Sequence, residues 1–194
     1  MKVVPTAELA SAFGTIRLGL TTVPPEQPGA EAQMDILLAD ILNPLISRDF
    51  VVAVGAGSGR PLTEFVVGGG HALSYHAEGD DYAFTAFAAA AFPTALAVHL
   101  AEAESLAVPG GDQWAATLAG ALGVPAAEVP PADARFALRL SLADGTTRTA
   151  TVTRHGTAFA WAETDPSRLA YLPSVEDLAG MIAEFAPIPA GAAI

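Results

Sequence analysis

The segment of this chain most suited to chemistry is a glycine-rich loop directly after an apolar run. Residues 51–54 are apolar and mostly β-branched, and glycine occupies alternate positions of the loop 55–59, starting at Gly55. A strand ending in such a loop lets backbone amides approach a nucleotide or S-adenosylmethionine. The dinucleotide form needs a third glycine where Arg60 stands, and both forms need a helix where the short run 61–67 stands. A glycine-rich hairpin turn is therefore the preferred interpretation, and a small S-adenosylmethionine-dependent methyltransferase remains an alternative.

A metal site is the second kind of chemistry that the residue types invite. His71 and His76 are separated by an odd number of positions, so on one strand they point to opposite faces. His99 and His155 fall in other predicted elements. The acidic turn 78–81 could hold a cation loosely, but Gly-Asp-Asp is ordinary turn chemistry. No metal and no cofactor is predicted.

Nucleophilic catalysis has equally little support. Ser58, Ser74 and Ser105 lack the Gly-x-Ser-x-Gly context in which a serine is exposed on a strained turn. Glu163 and Asp165 lie two positions apart at a strand end, where a structural role in the turn is the simpler interpretation. No catalytic residue is predicted, and the protein is expected to be non-enzymatic.

Composition narrows the class of protein further. The 194 residues are 52% hydrophobic, include no cysteine and carry a net charge of −12. No run approaches the roughly 20 apolar residues of a membrane span, and no signal-peptide segment opens the chain, so a soluble cytoplasmic protein without membrane insertion is expected. The acidity argues against nucleic acid as a ligand and favours a protein partner.

The N-terminal part of the chain predicts two helices and then a first sheet unit. Apolar periodicity indicates helices over 6–16 and 32–42, separated by the proline-rich loop 23–29. A helix is also expected from Phe92 to Leu106, before Pro109-Gly110-Gly111. Four strand-like runs precede it: Phe50–Val54, Leu62–Val67, Ala72–His76 and Tyr82–Phe87.

The second half repeats this order. A connector helix is predicted over Asp112–Leu122, with Asp112 as its N-cap and Gly123 as its stop. Asp144-Gly145 indicates a two-residue hairpin turn. The remaining predicted elements are strands over Arg135–Leu140, Thr147–Thr153 and Thr157–Ala162, and a helix over Ser174–Phe185 with Ser174 as its cap.

These elements predict an α+β fold in which two similar antiparallel sheet-plus-helix units pack as one globular body, residues 1–194. The first unit spans 32–106, and the connector helix with the second unit spans 112–186. A pseudo-twofold axis is expected to relate the two units. Phe159 and Trp161 are expected to fill the core of the second unit. Such a doubled architecture suggests a docking surface more than a reactive pocket.

Two segments carry a resemblance to a known family: the run Thr149–Gly156 leading through Phe159 and Trp161 to Ser167-Arg168-Leu169 and the closing helix, and the connector Leu106–Asp112. With the overall order of parts, they resemble the EspG family, the cytosolic chaperones of type VII (ESX) secretion in actinobacteria. The resemblance implies a chaperone that covers an apolar patch on a secreted helical client. It assigns no partner-binding residue in this chain.

One further alternative comes from charge. An acidic immunity protein that blocks a basic toxin would also fit a chain of net charge −12. The sequence therefore predicts a protein-binding protein, with a secretion chaperone first, an immunity protein second and a methyltransferase third.

Overall fold

The computed structural model describes residues 44–45, 47–55, 63–78, 81–104, 111–163 and 169–188. The helices predicted at 6–16 and 32–42 lie outside the described residues, as does the glycine loop beyond Gly55. The described strands are β1 (Arg48–Gly55), β2 (Thr63–Gly68), β3 (His71–Glu78), β4 (Asp81–Ala88), β5 (Ala134–Leu142), β6 (Thr147–His155), β7 (Ala158–Glu163) and β8 (Leu169–Leu172). The described α-helices are α1 (Phe92–Glu102), α2 (Gly111–Leu122) and α3 (Val175–Phe185).

All eight strands form a single antiparallel sheet in the order β4-β3-β2-β1-β5-β6-β7-β8. Each half is a four-stranded meander followed by a helix, and β1 and β5 join the halves at the centre of the sheet. The fold is therefore α+β, as predicted. The strand order is the same when read outward from the β1–β5 pair in either direction; a pseudo-twofold between the units stays a prediction.

The sequence prediction missed the eighth strand. β8 has only four residues and lies between Pro166 and Pro173, so its pattern is too short to separate from the surrounding turn. Its pairing with β7 decides its conformation, because Phe159 lies opposite Leu172 and Trp161 opposite Ala170. With β8 included, both halves contain four strands.

One face of the sheet, called here the covered face, lies beneath α1 and α3, which also pack against each other. A single apolar cluster extends through both halves, from Phe50 and Phe65 in the first to Trp161 in the second. Phe92 on α1 meets Phe50 edge to face, with ring centroids 5.3 Å apart. The Trp161 ring meets Phe185 of α3 at 5.1 Å, which confirms Trp161 as a core residue.

The described residues cover the opposite face, called here the outer face, over only part of its area. Of the helices that the structure describes, α2 packs on this face, where Ala115, Leu118 and Ala119 contact Ala160 of β7. These three positions follow the i, i+3, i+4 spacing of an amphipathic helix. Strand β5 shows what remains uncovered, because its residues alternate strictly between buried and exposed from Ala134 to Leu140.

Several predicted boundaries are corrected. Helix α1 ends at Glu102, not Leu106, because Ala103 is extended and its carbonyl is bound by an arginine of β6. Helix α2 begins at Gly111, so Asp112 lies in its first turn and is not its N-cap. The predicted stop at Gly123 is confirmed, with φ at 69°.

The hairpin between β5 and β6 is longer than predicted. Four residues, 143–146, separate the two strands, and the turn is closed by hydrogen bonds from Leu142 N to Thr146 O and from Gly145 N to Leu142 O. Gly145 has φ at 87°, the left-handed conformation that glycine adopts without strain. Asp144 accepts from the Thr146 amide at 2.8 Å, and this bond lowers the pKa of its carboxyl group.

Within the described residues, no helix is long and apolar enough to cross a bilayer.

Candidate functional site

The glycine loop lies between two strands of a hairpin. β1, which ends at Gly55, pairs antiparallel with β2 on one side and with β5 on the other. A methyltransferase or dinucleotide site requires a strand, a loop and then a helix within a parallel sheet. The connection from β1 leads to a strand instead, so the described topology lacks that arrangement.

The four histidines do not form one cluster, although His76 and His99 lie near each other. His71 and His76 lie on opposite faces of β3, as the register with β4 requires, and His99 lies on α1. His155 is buried on β6, where Nδ1 donates to the Pro130 carbonyl at 2.7 Å and Nε2 lies 3.0 Å from the Thr153 hydroxyl. Both ring nitrogens of His155 thus have partners within the fold, so the role of this side chain is structural. In the part of the chain that the structure describes, no group of three or more potential ligands could hold a metal ion.

One histidine has a perturbed acidity. Burial lowers the pKa of His99 below its ordinary value, the nearby His76 lowers it further, and Glu102 opposes the shift. The His99 ring also packs edge to face on Phe65 at 5.7 Å. These contacts favour a neutral imidazole at the margin of the covered face.

The remaining chemical candidates have structural partners or lie outside the described residues. Glu163 Oε2 accepts from Arg148 Nη2 at 3.0 Å, so this carboxylate holds a strand end in place. Asp165, Ser58 and Ser105 lie outside the described residues. Ser74 lies on β3, on the same face as Phe65, and is half-buried.

The centre of the outer face is exposed along three neighbouring strands. We call it the outer strip. Its side chains alternate with core residues along β1, β5 and the first part of β6, and they are exposed or half-buried. The outer strip consists of Val51, Ala53, Arg135, Ala137, Arg139, Ser141, Thr147, Thr149 and Thr151.

The chemistry of the outer strip differs from that of the chain as a whole. Arg135 and Arg139 lie on the same strand and are both exposed, with Ala137 between them. None of the nine strip residues is acidic, although the chain carries 21 acids against nine lysines and arginines. The strip therefore presents small apolar groups, hydroxyls and two positive charges.

A cavity of about 210 Å³ adjoins the strip on the side of the first unit. It shares Val51 and Ser141 with the strip, and its other walls include Val66, Glu64 and Tyr75. The Tyr75 hydroxyl donates to the Glu64 carboxylate, so two of its polar groups satisfy each other. The cavity thus extends the outer strip towards β2 and β3, and the described residues that line it bring no set of reactive groups together.

Two arginines of β6 lie on the covered face, on the opposite side of the sheet from the outer strip. Arg154 on β6 is buried, donates to Asp133 Oδ1 at 2.7 Å and donates to the carbonyls of Ala101 and Ala103, both at 2.7 Å. These carbonyls lie at the C-terminal end of α1, where a cation compensates orphan acceptors and the helix dipole. A residue of the second unit therefore caps the helix of the first.

Arg148 has the corresponding role at the other end of β6. Its Nη1 donates to the Phe185 carbonyl at the end of α3 at 2.8 Å, and its guanidinium lies 5.0 Å from the centre of the Phe185 ring. The two arginines are six positions apart on one strand and hold the C-terminal ends of both covering helices. Strand β6 thus links the sheet to its cover at both ends.

Sequence reasoning missed both the outer strip and the capping arginines. The alternation of Arg135 to Leu140 was visible, but it does not reveal that β5 is central in the sheet, where exposed alternate residues form the middle of a face. The capping roles of Arg148 and Arg154 carry no local signal, because their partners lie between 37 and 54 positions away.

The chain was also compared with known proteins. No family model, no curated protein and no solved structure matches it.

Proposed function

We propose that this protein is a non-enzymatic chaperone that shields an apolar surface of a helical client, and that the client docks on the outer strip. The observation that carries the proposal is the strict burial alternation of β5: its outward residues are exposed at the centre of an eight-stranded sheet, and none of the described helices covers them there. A central strand with an exposed face is a surface available to a partner. The resemblance to the EspG family agrees with such a role in type VII secretion.

The dimensions of the strip suit a single helix. Three neighbouring strands at a spacing of about 4.8 Å span about 10 Å, close to the diameter of an α-helix with its side chains. Helix α2 already packs on the outer face over β7 and β8, so a client helix would lie beside it.

The charges of the strip specify the client further. Exposed arginines form charge-assisted hydrogen bonds with carboxylates, and small apolar groups between them accommodate apolar side chains of a helix. We therefore expect a client helix that presents apolar residues flanked by acidic ones. The two arginines would also direct an acidic client to the strip, because the rest of the chain is strongly acidic and repels it.

Co-purification tests the proposal. The tagged chain is crosslinked in its native host and its partners are identified; recovery of a secreted helical protein is expected. Ala137→Glu places an acid in the strip and should abolish recovery, whereas Ala183→Glu on the exposed side of α3 should preserve it. Recovery of no such protein, or equal recovery with Ala137→Glu, would contradict the proposal.

The net charge of −12 favours a second candidate, an immunity protein that blocks a basic toxin. Its binding would use the acidic surface outside the strip and weaken steeply with salt. A partner encoded beside this chain that binds equally well to Ala137→Glu and dissociates at high salt would identify this function in place of the first.

A further inference from the structure

The two edges of the sheet differ in how well they are protected. β8 has four residues and ends before Pro173, and short strands next to proline are a common defence against unwanted pairing. β4 at the other edge has eight residues. Residues 82–88 contain no charge, no proline and no glycine, and none of the described strands lies beyond them.

The accessible side chains of β4 agree with its edge position. Thr85, Ala86 and Ala88 are exposed, while Phe84 and Phe87 are half-buried. Phe84 lies 5.7 Å from the Tyr75 ring and Phe87 lies 6.5 Å from the Phe65 ring. Each of these two rings therefore packs on an inner strand and keeps part of its surface accessible. Long apolar edges of this kind pair readily with another strand.

We propose that β4 is a self-association edge, and that a second copy of this chain pairs with it in antiparallel register, with Thr85 opposite Thr85. Opposite residues of an antiparallel pair point to the same face of the sheet, and a twofold axis between two copies keeps each side chain on its face. A symmetric pair must therefore be centred on a residue that lies opposite its own copy. The register centred on Thr85 pairs the whole run 82–88 with itself. It places Phe84 opposite Ala86 and Phe87 opposite position 83, which is also alanine.

In this register each phenylalanine lies opposite an alanine of the other copy. Large side chains therefore meet small ones, and the two identical edges can pack without collision. The neighbouring register, centred on residue 84, would set two phenylalanines directly against each other and would pair Phe87 with Asp81. In the proposed register Asp81 lies opposite Ala89. No acid then faces another acid across the pair, despite a net charge of −12 on each copy.

The charge of the chain makes salt a useful readout. Two copies repel each other at long range, and added salt screens this repulsion without weakening backbone hydrogen bonds between neutral strands. The dimer should therefore strengthen as salt increases. Since one strand pair is small compared with the roughly 1,200 Å² of a stable interface, we expect reversible, concentration-dependent association.

Charge substitutions at the centre of the edge provide the first test by sedimentation equilibrium on the full chain. Thr85→Lys and Thr85→Glu should each weaken dimerisation at least about tenfold, because like charges lie directly opposite. An equimolar mixture of the two variants should restore it as a heterodimer. Thr147→Lys changes an exposed threonine on β6, away from both edges, and should leave the dimer unchanged.

The register is tested by cysteine crosslinking, for which this chain offers a background without cysteine. Thr85→Cys should form an intermolecular disulfide on mild oxidation, since directly opposite Cα atoms lie about 4.5–5.5 Å apart. Ala88→Cys also lies at an exposed position, but the two copies of residue 88 would be about 20 Å apart, six residues along the strand. It should not crosslink.

Three results would overturn the proposal: a monomer at every concentration and salt level, a dimer that Thr85→Lys leaves intact, or equal crosslinking of Thr85→Cys and Ala88→Cys. The test is independent of the proposed client site, because Ala137→Glu lies on a central strand and should not affect the dimer. Failure of one proposal is thus distinguishable from failure of the other.

Discussion

The two faces of the sheet are formed by the same strands but differ in how far their side chains are exposed. On the covered face, Leu138 and Leu140 of β5 are 1% and 0% exposed beneath α1 and α3. On the outer face, Arg139 of the same strand lies in solvent. The difference shows that the covered face contributes the buried side chains of β5 to the core, while the outward side chains of the same strand are exposed.

The difference also identifies what closes the covered face. Helices α1 and α3 come from different halves, yet both are capped by arginines of β6. Closure of this face therefore depends on contacts between the halves as well as within them. In the described residues of the outer face, α2 closes only the region above β7 and β8.

The sharpest test of the comparison uses two adjacent residues of β5. Leu138→Ala removes a buried side chain and should lower the free energy of unfolding by about 2–5 kcal/mol. Arg139→Ala removes an exposed one and should change it by less than about 0.5 kcal/mol. Urea unfolding measures both, and similar values for the two variants would contradict the assignment of faces.

The capping arginine should show the next largest effect. Arg154→Met preserves most of the side-chain volume but leaves the carbonyls of Ala101 and Ala103 without their donor, and we expect a loss of about 2–3 kcal/mol. Arg139→Met is the matched control and should cost less than about 0.5 kcal/mol. If the two variants unfold at the same urea concentration, Arg154 does not hold α1 to the sheet.

A smaller loss is expected at the start of α3. The Ser174 hydroxyl accepts from the Asp177 amide at 3.1 Å, which confirms the predicted N-cap. Ser174→Ala should lower the free energy of unfolding by about 1 kcal/mol, the usual value for a lost cap. Thr157→Ala, at an exposed turn, should have no measurable effect. A thermal unfolding midpoint unchanged in Ser174→Ala would count against the cap.

The smallest effect concerns pH. Because the pKa of His99 is lowered in the folded state from its ordinary 6.5, the unfolded chain binds more protons at mildly acidic pH. Stability from this group is present above pH 6.5 and is lost as the pH falls through that value. His99→Gln should therefore flatten the decline in stability between pH 7 and pH 5. An unchanged slope would contradict this role of His99.

Local patterns sufficed for much of the fold. The alternation in β5, the Ser174 cap and the stop at Gly123 each depend on neighbouring residues, so they could be read from the sequence. β8 could not, because four residues carry too little periodicity and its conformation depends on pairing with β7. The end of α1 was also misplaced, since Arg154, 52 positions beyond Glu102, helps to set it.

The candidate site was less predictable than the fold. Glycines and histidines attracted attention because of their chemical types, but β1 and β2 flank the glycine loop as a hairpin, and no three potential metal ligands come together among the described residues. The outer strip consists of ordinary arginines, alanines and threonines, and only the central position of β1 and β5 in the sheet makes them a surface.

Thiol labelling of single-cysteine variants tests the central claim most directly, since the chain has no cysteine of its own. Ala137→Cys should react with a maleimide about as fast as a free thiol, and the helical client should suppress the reaction; Ala183→Cys should react equally with and without client. Slow labelling of Ala137→Cys in the free protein, or labelling that the client leaves unchanged, would contradict the account.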